Sequence, residues 1–364
     1  MTDITAFQVR KDALSETRLV THPALKDGND LKDGDVLVKI DRFAFTANNV
    51  TYGVVGERIG YWKFFPTGDG DWGIIPVWGF GDVIRSACAE VPVGTRLYGY
   101  WPMASHLVMT PAKVSDTRLF DGAAHRQDLP PVYNAYARVA QEDGYDPAMD
   151  DERMALYPLY ATSFCLYDFF LDNDWFGAKT IVLPSASSKT AIGTAYALNT
   201  DAGRPRLVGL TSARNKAAVT ALGLYDSVLD YDAIERLDAD TPTAIIDMSG
   251  NGDVLGRLHR HLGDAMTYTS NVGVTHYEAN AMGEDFIRSR SAMFFAPGHI
   301  QKRAKDWGPG EFERRAFAFW RDAAIKSRDW LTITRETGAD AVGQVYREVL
   351  AGDTPADTVR VTGF

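Results

Sequence analysis

The alternation of strand-like and helix-like segments between residues 178 and 275 constrains the fold of this chain more than any other feature. Short apolar runs such as KTIVLPS (179–185) and TAIIDMSG (243–250) alternate with helical segments such as KTAIGTAYALN (189–199). Strands that alternate with helices of about 10–15 residues predict a parallel sheet covered by helices on both faces. We therefore predict a doubly wound α/β domain, whose ligands bind at the carboxyl ends of the strands. Its other predicted strands are 205–212, 226–232 and 264–273, and its other predicted helices are 213–223 and 254–263.

The N-terminal part of the chain has a different pattern, in which short strands are broken by glycine and proline. Segments 35–41, 95–100 and 105–110 are strand-like, and they predict a small β-barrel or sandwich. Residues 112–150 form a more polar insertion, in which LPPVYNAYARVAQED (129–143) predicts a loop followed by a helix.

The remaining segments complete the predicted domain organisation. The most apolar stretch, residues 156–171, predicts a buried helix at a domain junction, because it is short for a membrane span and carries Asp168. Residues 299–350 have helical composition, and TVRVTGF (358–364) predicts a final strand. We therefore divide the chain into a substrate domain (1–155), a nucleotide domain (156–298) and a C-terminal segment (299–364).

Charge and cysteine content exclude several classes of partner. The formal net charge is −10, which disfavours nucleic acid and anionic lipid as partners. The two cysteines, Cys88 and Cys165, are too few for a secreted disulfide framework, and the first residues do not form a signal peptide. We expect a cytoplasmic protein without a membrane anchor.

The loop between the first strand and the first helix of the α/β domain, residues 185–193, has features of a phosphate-binding loop. Backbone N–H groups at the N-terminus of a helix bind a pyrophosphate well. The usual glycine-rich motif is absent and only Gly193 remains, although small residues still allow a phosphate to approach. Candidate donors are Ser185, Ser188, Lys189 and Thr190. An ordinary capped helix after a strand explains the same pattern.

The end of the second strand of this domain indicates which nucleotide binds. An NAD site places an acidic residue there for the ribose 2′-hydroxyl, whereas this strand ends in Thr211 and Ser212, followed by Arg214 and Lys216. Hydroxyl donors with nearby cations suit a 2′-phosphate, so we predict NADPH as the cofactor. The alternative is that both cations lie on a solvated helix face. Tyr231, after the third strand, is a candidate to cover the adenine.

Taken together, these motifs resemble the medium-chain dehydrogenase/reductase superfamily, in particular its zinc-free quinone-reductase branch. The segment 207–232 is similar to the branch's T-S-x-x-x-K and D-x-V-x-D-Y patterns, and DVLVKIDRFAFTANNVTYGVVGE (35–57) is similar to its first-domain motif. The resemblance covers nearly the whole chain except 112–150, and its departures suggest an uncharacterised bacterial subfamily. It implies a Rossmann domain, a GroES-like β-barrel domain, a C-terminus that returns to that domain, and a homodimer.

The resemblance also assigns residues near the nicotinamide. In the superfamily, the loop after the fifth strand reaches the nicotinamide ribose and carboxamide, and the end of the next strand holds the carboxamide. The residues at these positions, together with those at the carboxyl end of the fourth strand, are Ser270, Asn271, Val272, Phe295, Ala296, Pro297, Asp247, Met248 and Ser249. A buried carboxylate at the end of a strand, such as Asp247, has an alternative structural role.

We predict chemistry without a metal. Two cysteines cannot assemble the zinc sites of related alcohol dehydrogenases, and His106 and His125 have no cysteine partners at ligand spacing. Without zinc, the easier reaction is hydride addition to an electron-poor quinone or α,β-unsaturated carbonyl compound. Tyr52, which follows Asn48 and Asn49, lies where the branch keeps a pocket tyrosine.

Tyr52 and Asn49 are therefore the candidate catalytic residues. The Tyr52 hydroxyl would polarise the carbonyl or donate a proton, and Asn49 would orient Tyr52 or the substrate. Packing of Tyr52 in the pocket and a turn-stabilising role for Asn49 are the alternatives.

Two further features concern the substrate. The aromatic residues of 61–65, with Trp72 and Trp78, favour a flat or apolar small molecule, or else form the core of the domain. A basic stretch would suit a phosphate-bearing acyl thioester, or else form a solvated face; it contains Arg288, Arg290, Lys302, Arg303 and Lys305. The leading hypothesis is an NADPH-dependent quinone or enone reductase; the alternatives are a 2-enoyl thioester reductase and a non-catalytic NADPH-binding sensor or interaction protein.

Overall fold

The chain forms two compact units in the computed structural model, which describes residues 3–23, 31–272 and 285–364. The first, here called the β unit, comprises Met1–Ala155 and Leu331–Phe364. The second, here called the α/β unit, comprises Leu156–Trp330.

The regular elements are as follows. The strands are β1 Asp3–Arg10, β2 Ala13–Pro23, β3 Val36–Phe45, β4 Trp72–Gly73, β5 Pro76–Ser86, β6 Arg96–Pro102, β7 His106–Met109, β8 Pro111–Ala112, β9 Arg118–Asp121, β10 Ala135–Arg138, β11 Thr180–Pro184, β12 Arg206–Thr211, β13 Ser227–Asp230, β14 Thr243–Asp247, β15 Met266–Asn271, β16 Ser291–Met293, β17 Thr332–Thr337 and β18 Thr358–Gly363. The α-helices are α1 Ala47–Val54, α2 Gly56–Ile59, α3 Asp150–Asp172, α4 Lys189–Leu198, α5 Lys216–Ala221, α6 Gly252–Leu262, α7 Ala296–Trp307, α8 Glu311–Ser327 and α9 Ala339–Ala351.

The β unit is built on a nine-stranded mixed sheet in the order β17-β18-β3-β5-β6-β10-β9-β8, with β7 also paired to β3. A smaller sheet has the order β2-β1-β4. Strand β3 lies near the centre and buries the alternating residues Val36, Val38 and Ile40, as expected for a strand that packs against a core. The strands predicted over 35–41, 95–100 and 105–110 are confirmed.

Two expectations for secondary structure are wrong. The helix predicted within 129–143 is instead interrupted by strand β10, which pairs with both β6 and β9. Residues 332–337, within the stretch predicted to be helical, form strand β17, which pairs in parallel with β18. In both cases the pairing partners are distant in sequence, and long-range pairing overrides local composition.

The α/β unit contains a six-stranded parallel sheet in the order β13-β12-β11-β14-β15-β16. This is the doubly wound order 3-2-1-4-5-6, so the predicted fold class is confirmed. The order reverses between β11 and β14, and ligands of such sheets bind outside the carboxyl ends of the strands at that point. The last part of the alternating segment, 273–275, lies outside the described residues.

The extent of the α/β unit differs from the division we made from the sequence. Helix α8 and α7 from residue 299 onwards, which we assigned to the C-terminal segment, belong to the α/β unit, and the return of the chain to the β unit begins at Leu331. The reason is packing, because Phe312 and Ala316 of α8 form an apolar cluster with Cys165 of α3. No helix within 3–23, 31–272 or 285–364 combines the length and the apolar character needed to cross a membrane.

Candidate functional site

The loop after β11 holds its phosphate-binding candidates in an ordered turn. Ser185 has a left-handed backbone (φ 58°), a conformation that normally favours glycine. Ser188 is the N-cap of α4, and its Oγ accepts a bond from the Ala191 N–H at 3.3 Å. Lys189 and Thr190 are half-buried in the first turn of α4. The turn thus brings all four residues to the N-terminus of the helix.

Tyr231 has a role that the sequence did not predict. Its hydroxyl accepts a hydrogen bond from the Ser185 backbone N–H at 3.0 Å, and burial raises the pKa of this tyrosine. The predicted contact with the adenine stays a prediction. The observed contact means that one backbone N–H of the phosphate loop is already hydrogen-bonded.

Gly193 retains one function of a glycine-rich loop. A Cβ atom at this position would lie 2.5 Å from Tyr160 Cδ1 and 2.6 Å from Ser163 Oγ, too close for either atom. Ser163 Oγ also donates to the Thr190 carbonyl at 2.8 Å. The glycine therefore allows α4 to pack tightly on α3, comparable to the packing role of the last glycine in the dinucleotide fingerprint.

The carboxyl end of β12 is joined to the phosphate loop through Ser187. The Ser187 Oγ accepts from Thr211 Oγ1 at 3.3 Å and from Asn215 Nδ2 at 3.1 Å. Ser212 begins the short turn that leads to α5. The sequence reasoning missed Asn215. Its position three residues after Ser212 places it in the same turn, and this proximity was the available signal.

The two predicted cations at this end of the sheet have different environments. Arg214 is exposed and forms no ion pair with any residue in the described ranges. Lys216 Nζ instead lies 2.8 Å from Asp230 Oδ2, and this contact lowers the pKa of the Asp230 carboxyl. Arg214 is therefore the cation that is available to a phosphate, while Lys216 is engaged at the end of β13.

Asp247, at the end of β14, is occupied by its own loop. The buried carboxylate accepts bonds from the Ser249 N–H at 2.9 Å, the Ser249 Oγ at 2.6 Å and the Gly250 N–H at 3.0 Å. Burial nevertheless raises the pKa of Asp247. Met248 is half-buried and packs against the core of the unit, so these residues support the structural role that we considered for Asp247.

The end of β15 carries buried polar atoms without partners. Ser270 and Asn271 are buried, and Ser270 Oγ and Asn271 Oδ1 form no hydrogen bond in the described part of the chain. Asn271 Nδ2 donates to the Ala292 carbonyl at 3.2 Å, and the Val272 N–H donates to the Asp247 carbonyl at 2.9 Å. An unpaired buried polar atom costs about 1–3 kcal/mol, so both atoms fit a role in holding a polar ligand.

Phe295 follows β16 and is the N-cap residue of α7, whose first residues are Ala296 and Pro297. Its side chain is 63% exposed, unusual for a large apolar group. The preceding residue, Phe294, donates its N–H to the Asn271 carbonyl at 2.9 Å and so ties the two strand ends together. The proposed backbone contact with a carboxamide stays a prediction.

In the β unit, Tyr52 lies buried on α1 with a polar environment around its hydroxyl. The Tyr52 Oη accepts bonds from Asn48 Nδ2 at 2.9 Å and from Trp78 Nε1 at 3.4 Å. Burial raises the pKa of Tyr52, so the phenol stays protonated at neutral pH. No group in the described ranges accepts its proton, which is therefore available to a ligand oxygen.

Asn49 does not contact Tyr52 in the way we considered. Its Oδ1 accepts from the Thr46 N–H at 2.9 Å and from Thr46 Oγ1 at 3.1 Å, and its Nδ2 donates to the Pro76 carbonyl at 3.0 Å. The bond from the Thr46 N–H is part of a capping box at the start of α1, which matches the alternative turn-stabilising role. The neighbouring Asn48 makes the contact with Tyr52 instead.

Four tyrosines pack around this point and are here called the tyrosine cluster: Tyr52, Tyr61, Tyr100 and Tyr133. Ring centres lie 4.5 Å apart for Tyr52 and Tyr61, 4.7 Å for Tyr100 and Tyr133, and 5.7 Å for Tyr52 and Tyr100. The hydroxyls of Tyr61 and Tyr133 are 3.1 Å apart. Burial raises the pKa of all four.

Residues of the insertion (112–150) support the tyrosine cluster. Arg126 is fully buried, its guanidinium bonded to Asp121 Oδ2 at 2.7 Å, Asn134 Oδ1 at 2.8 Å and Tyr136 Oη at 3.0 Å. The sequence reasoning missed this group and Tyr133. The partners of Arg126 lie within ten residues but show no helix or strand spacing, whereas the partner of Tyr133, Tyr61, lies 72 residues away.

The aromatic residues singled out in the sequence divide between the two roles we considered. Tyr61 belongs to the tyrosine cluster, and Trp78 borders it. Trp62 is buried so closely against Gly56 and Gly73 that a Cβ atom on either glycine would overlap its ring. Trp72 lies outside the cluster, with the Arg18 guanidinium 4.1 Å from its ring centre.

The histidines and the basic stretch have partners of their own. His106 Nδ1 lies 3.0 Å from Ser105 Oγ, and His125 Nε2 lies 3.1 Å from the Phe64 carbonyl oxygen. Burial lowers the pKa of His106. In the basic stretch, Arg290 donates to backbone carbonyls, Lys302 pairs with Asp172 and Asp306, and Arg303 pairs with Asp168, Asp172 and Asp306.

Solved structures with the same fold cover the whole chain. A putative NADPH:quinone reductase from Bacillus thuringiensis matches at 14% identity and a TM-score of 0.57, covering 100% of both chains. A mycobacterial protein solved with NADPH matches at 13% identity and a TM-score of 0.58, covering 99% of this chain and 100% of the other. A mutant enoyl thioester reductase from Candida tropicalis matches at 9% identity and a TM-score of 0.57, covering 100% of both chains.

These structures share the fold of this chain, a Rossmann-type parallel sheet together with a GroES-like β domain, as predicted from the sequence. The chain belongs to the family described as protein of unknown function (DUF2855), whose model matches residues 43–355. No curated protein matches the sequence.

Proposed function

We propose that this protein is an NADPH-dependent, zinc-independent oxidoreductase that reduces a quinone or an α,β-unsaturated carbonyl compound. The observation that carries this proposal is the set of residues at the end of β12. Thr211 and Ser212 have hydroxyls, no acidic residue is present, and Arg214 is exposed without an ion-pair partner in the described ranges. A 2′-phosphate is the group that this combination suits. The structural neighbours described as an NADPH:quinone reductase and as an NADPH complex support the proposal.

The residues of the α/β unit fit the parts of this cofactor. The N-terminus of α4, with Ser188 and Thr190, would hold the pyrophosphate, because helix N-termini bind anions. The unpartnered Ser270 Oγ and Asn271 Oδ1 would bond the nicotinamide end of the molecule. When bound, NADPH supplies the hydride, and the second hydrogen needed for reduction arrives as a proton.

The β unit would supply the group that polarises the substrate. Asn48 and Trp78 donate to the Tyr52 oxygen and fix its orientation, while its own proton has no acceptor in the described ranges. A phenol held in this way donates a hydrogen bond to a carbonyl oxygen as negative charge develops there, and can release its proton to it.

Turnover of the Tyr52→Phe variant tests the proposal. We expect NADPH oxidation with a quinone or an enone in the native protein, and a kcat about a hundredfold lower in the variant, since general acid catalysis contributes at least that much. Tyr346→Phe is the matched control, because the buried Tyr346 donates to the Leu14 carbonyl at 2.7 Å in the same unit and outside the cluster. If Tyr52→Phe keeps the native kcat, the assigned role is wrong.

One observation favours a non-catalytic function of the same nucleotide site. The Ser185 N–H, the first donor of the phosphate loop, is already taken by the Tyr231 hydroxyl. Binding of NADPH without oxidation by any quinone, enone or aldehyde would identify a sensor. The thioester alternative has less support, because Arg290, Lys302 and Arg303 are already paired.

A further inference from the structure

Tyr133 carries its ring from the insertion into the tyrosine cluster. The ring lies among four other aromatic rings, whose centres are 4.7, 5.5, 5.6 and 6.0 Å away and belong to Tyr100, Phe64, Tyr61 and Trp78, respectively. Three of these, Tyr61, Trp78 and Tyr100, also contact Tyr52, the residue with the available phenol proton. Tyr133 therefore fills space beside the aromatic neighbours of Tyr52.

The loop that carries Tyr133, residues 127–133, is exposed in its middle and fastened at both ends. Val132 is 53% exposed, and Pro131 is exposed as well. The buried Arg126 donates to Asn134 Oδ1 at 2.8 Å and to the Tyr133 carbonyl at 2.7 Å, and its own carbonyl accepts from Asn134 Nδ2 at 2.8 Å. The backbone beside Tyr133 is thus fixed, so the side chain can turn outward by rotation about its own bonds without unfolding of the loop.

In the described part of the chain, a single hydrogen bond holds the Tyr133 hydroxyl, which lies 3.1 Å from the Tyr61 hydroxyl. A bond between two neutral groups contributes little net stability, because both hydroxyls bond to water once they separate. Tyr136, three residues further on, is held more firmly, since it is fully buried, accepts from Arg126 at 3.0 Å and donates to the Tyr100 carbonyl at 2.5 Å. Of these two tyrosines of one segment, Tyr133 is therefore the one whose side chain can leave its position.

The closed arrangement leaves two phenol protons of the cluster without acceptors among the described residues. Tyr100 is fully buried, its Oη forms no hydrogen bond, and its ring contacts that of Tyr133. Tyr52 Oη accepts from Asn48 and Trp78 but donates to no group in the described ranges. Burial of a donor without an acceptor is unfavourable, so an arrangement that admits a polar molecule to the cluster lowers this cost.

We propose that Tyr133 is a gate that controls access to Tyr52. In the closed state the phenol of Tyr133 fills the space between the aromatic rings. An acceptor molecule reaches the Tyr52 hydroxyl only after the Tyr61–Tyr133 bond breaks and the Tyr133 ring turns outward. This inference rests on the role of Tyr52 in the proposed function and adds the control of access to it. The gate belongs to residues 112–150, the stretch that the family resemblance does not cover.

Acetylation by N-acetylimidazole, in the absence of NADPH and of any acceptor, tests the opening itself, with each tyrosine followed by peptide mass spectrometry. We expect Tyr133 to be acetylated in the native protein while Tyr136 stays protected. Tyr61→Phe keeps the ring and removes only the hydroxyl partner, and it should raise the acetylation rate of Tyr133 at least about threefold. Protection of Tyr133 equal to that of Tyr136, or a rate unaffected by Tyr61→Phe, would overturn the gate.

The matched control is Tyr346→Phe, which removes a hydroxyl bonded to the Leu14 carbonyl outside the cluster and should leave the Tyr133 rate unchanged. Tyr136 is the internal control for folding. Its continued protection in Tyr61→Phe would show that the faster labelling of Tyr133 reflects local opening. Equal acceleration of both tyrosines would mean that the whole segment loosens, and would overturn the gate.

Steady-state oxidation of NADPH with menadione as the acceptor tests the consequence for access. A ligand that binds only the open state has an apparent affinity reduced in proportion to the open fraction. Tyr61→Phe and Tyr133→Phe break the same bond, so each should lower the KM for menadione at least about threefold, and the double variant should lower it no further. An unchanged or higher KM in the single variants, or additive effects in the double variant, would overturn the gate.

The outcomes for the two proposals are distinguishable. Acetylation of Tyr133 that accelerates in Tyr61→Phe, in a protein that oxidises NADPH with no quinone or enone, would support the gate and reject the proposed function. Reduction of menadione by NADPH in a protein whose Tyr133 stays as protected as Tyr136 would support the proposed function and reject the gate.

Discussion

The carboxyl edge of the parallel sheet and the tyrosine cluster bury their polar groups in different ways. At the sheet edge, Asp247 is satisfied by Ser249 and Gly250, two and three residues further along the chain. In the cluster, the Tyr61–Tyr133 bond joins residues 72 positions apart. The Asp247 carboxylate is thus satisfied within its own loop, whereas the Tyr61–Tyr133 bond forms only when the β unit has folded.

Loss of Asp121 gives the largest expected effect and tests the buried ion pair that supports the tyrosine cluster. Asp121→Ala leaves the Arg126 guanidinium buried without its carboxylate, and breaking such a pair typically costs about 3–5 kcal/mol of unfolding free energy. Denaturant unfolding measures the change. The matched control is Asp12→Ala, whose exposed pair with Arg10 should contribute little. Equal stability of the two variants would show that the buried pair does not support the cluster.

Acid sensitivity is the second way to separate the two regions. His259 of α6 is buried beside Thr269 of β15, and its Nδ1 accepts the Ile287 N–H at 2.9 Å. Burial, with a smaller contribution from Arg290, lowers its pKa to about 4. Because the unfolded histidine titrates near 6.5, its stabilising contribution is present above about pH 6.5 and is lost as the pH falls towards 4.

This contribution amounts to about 3 kcal/mol over that pH range. The phenols of the tyrosine cluster have raised pKa values and do not titrate there. Unfolding free energies measured from pH 7 to 4 should therefore fall less steeply in His259→Gln than in the native protein. Parallel pH profiles would contradict the assignment.

Glycine packing behind the phosphate loop gives the smallest of these effects. Gly193→Ala should destabilise the α/β unit by about 1–3 kcal/mol, because its Cβ would overlap Tyr160 and Ser163. Gly256→Ala in α6 is the matched control, since nothing lies within 4 Å of a Cβ there, and it should be neutral or stabilising by up to about 1 kcal/mol. Thermal unfolding of both variants tests whether the sheet edge depends on this close helix contact.

The parts of the molecule that the sequence predicted are those whose pattern is local. Strand β11 and helix α4 show their character within their own residues, and the doubly wound sheet follows from repeating that unit. The hydroxyls at the end of β12 were identified for the same reason. The Lys216–Asp230 pair was not predicted, because Lys216 begins α5 and Asp230 ends β13, and these two elements meet only in the folded unit.

The tyrosine cluster shows what local pattern cannot reveal. Tyr52 was identified through a family resemblance, but Tyr100 and Tyr133 carry no local signal, since their roles come from ring contacts across separate strands and the insertion. The strand at 135–138 was mistaken for a helix for the same physical reason, because its partners, β6 and β9, are set by tertiary structure.

The central claim, a site for a 2′-phosphorylated nicotinamide dinucleotide at the end of β12, is tested most directly by the nucleotide preference of Arg214→Ala. Calorimetric titration should give a Kd for NADPH about tenfold higher than in the native protein, corresponding to about 1.4 kcal/mol, with the Kd for NADH unchanged. The exposed Arg118→Ala in the β unit removes the same charge and should alter neither value. An unchanged ratio of the two dissociation constants in Arg214→Ala would contradict the account.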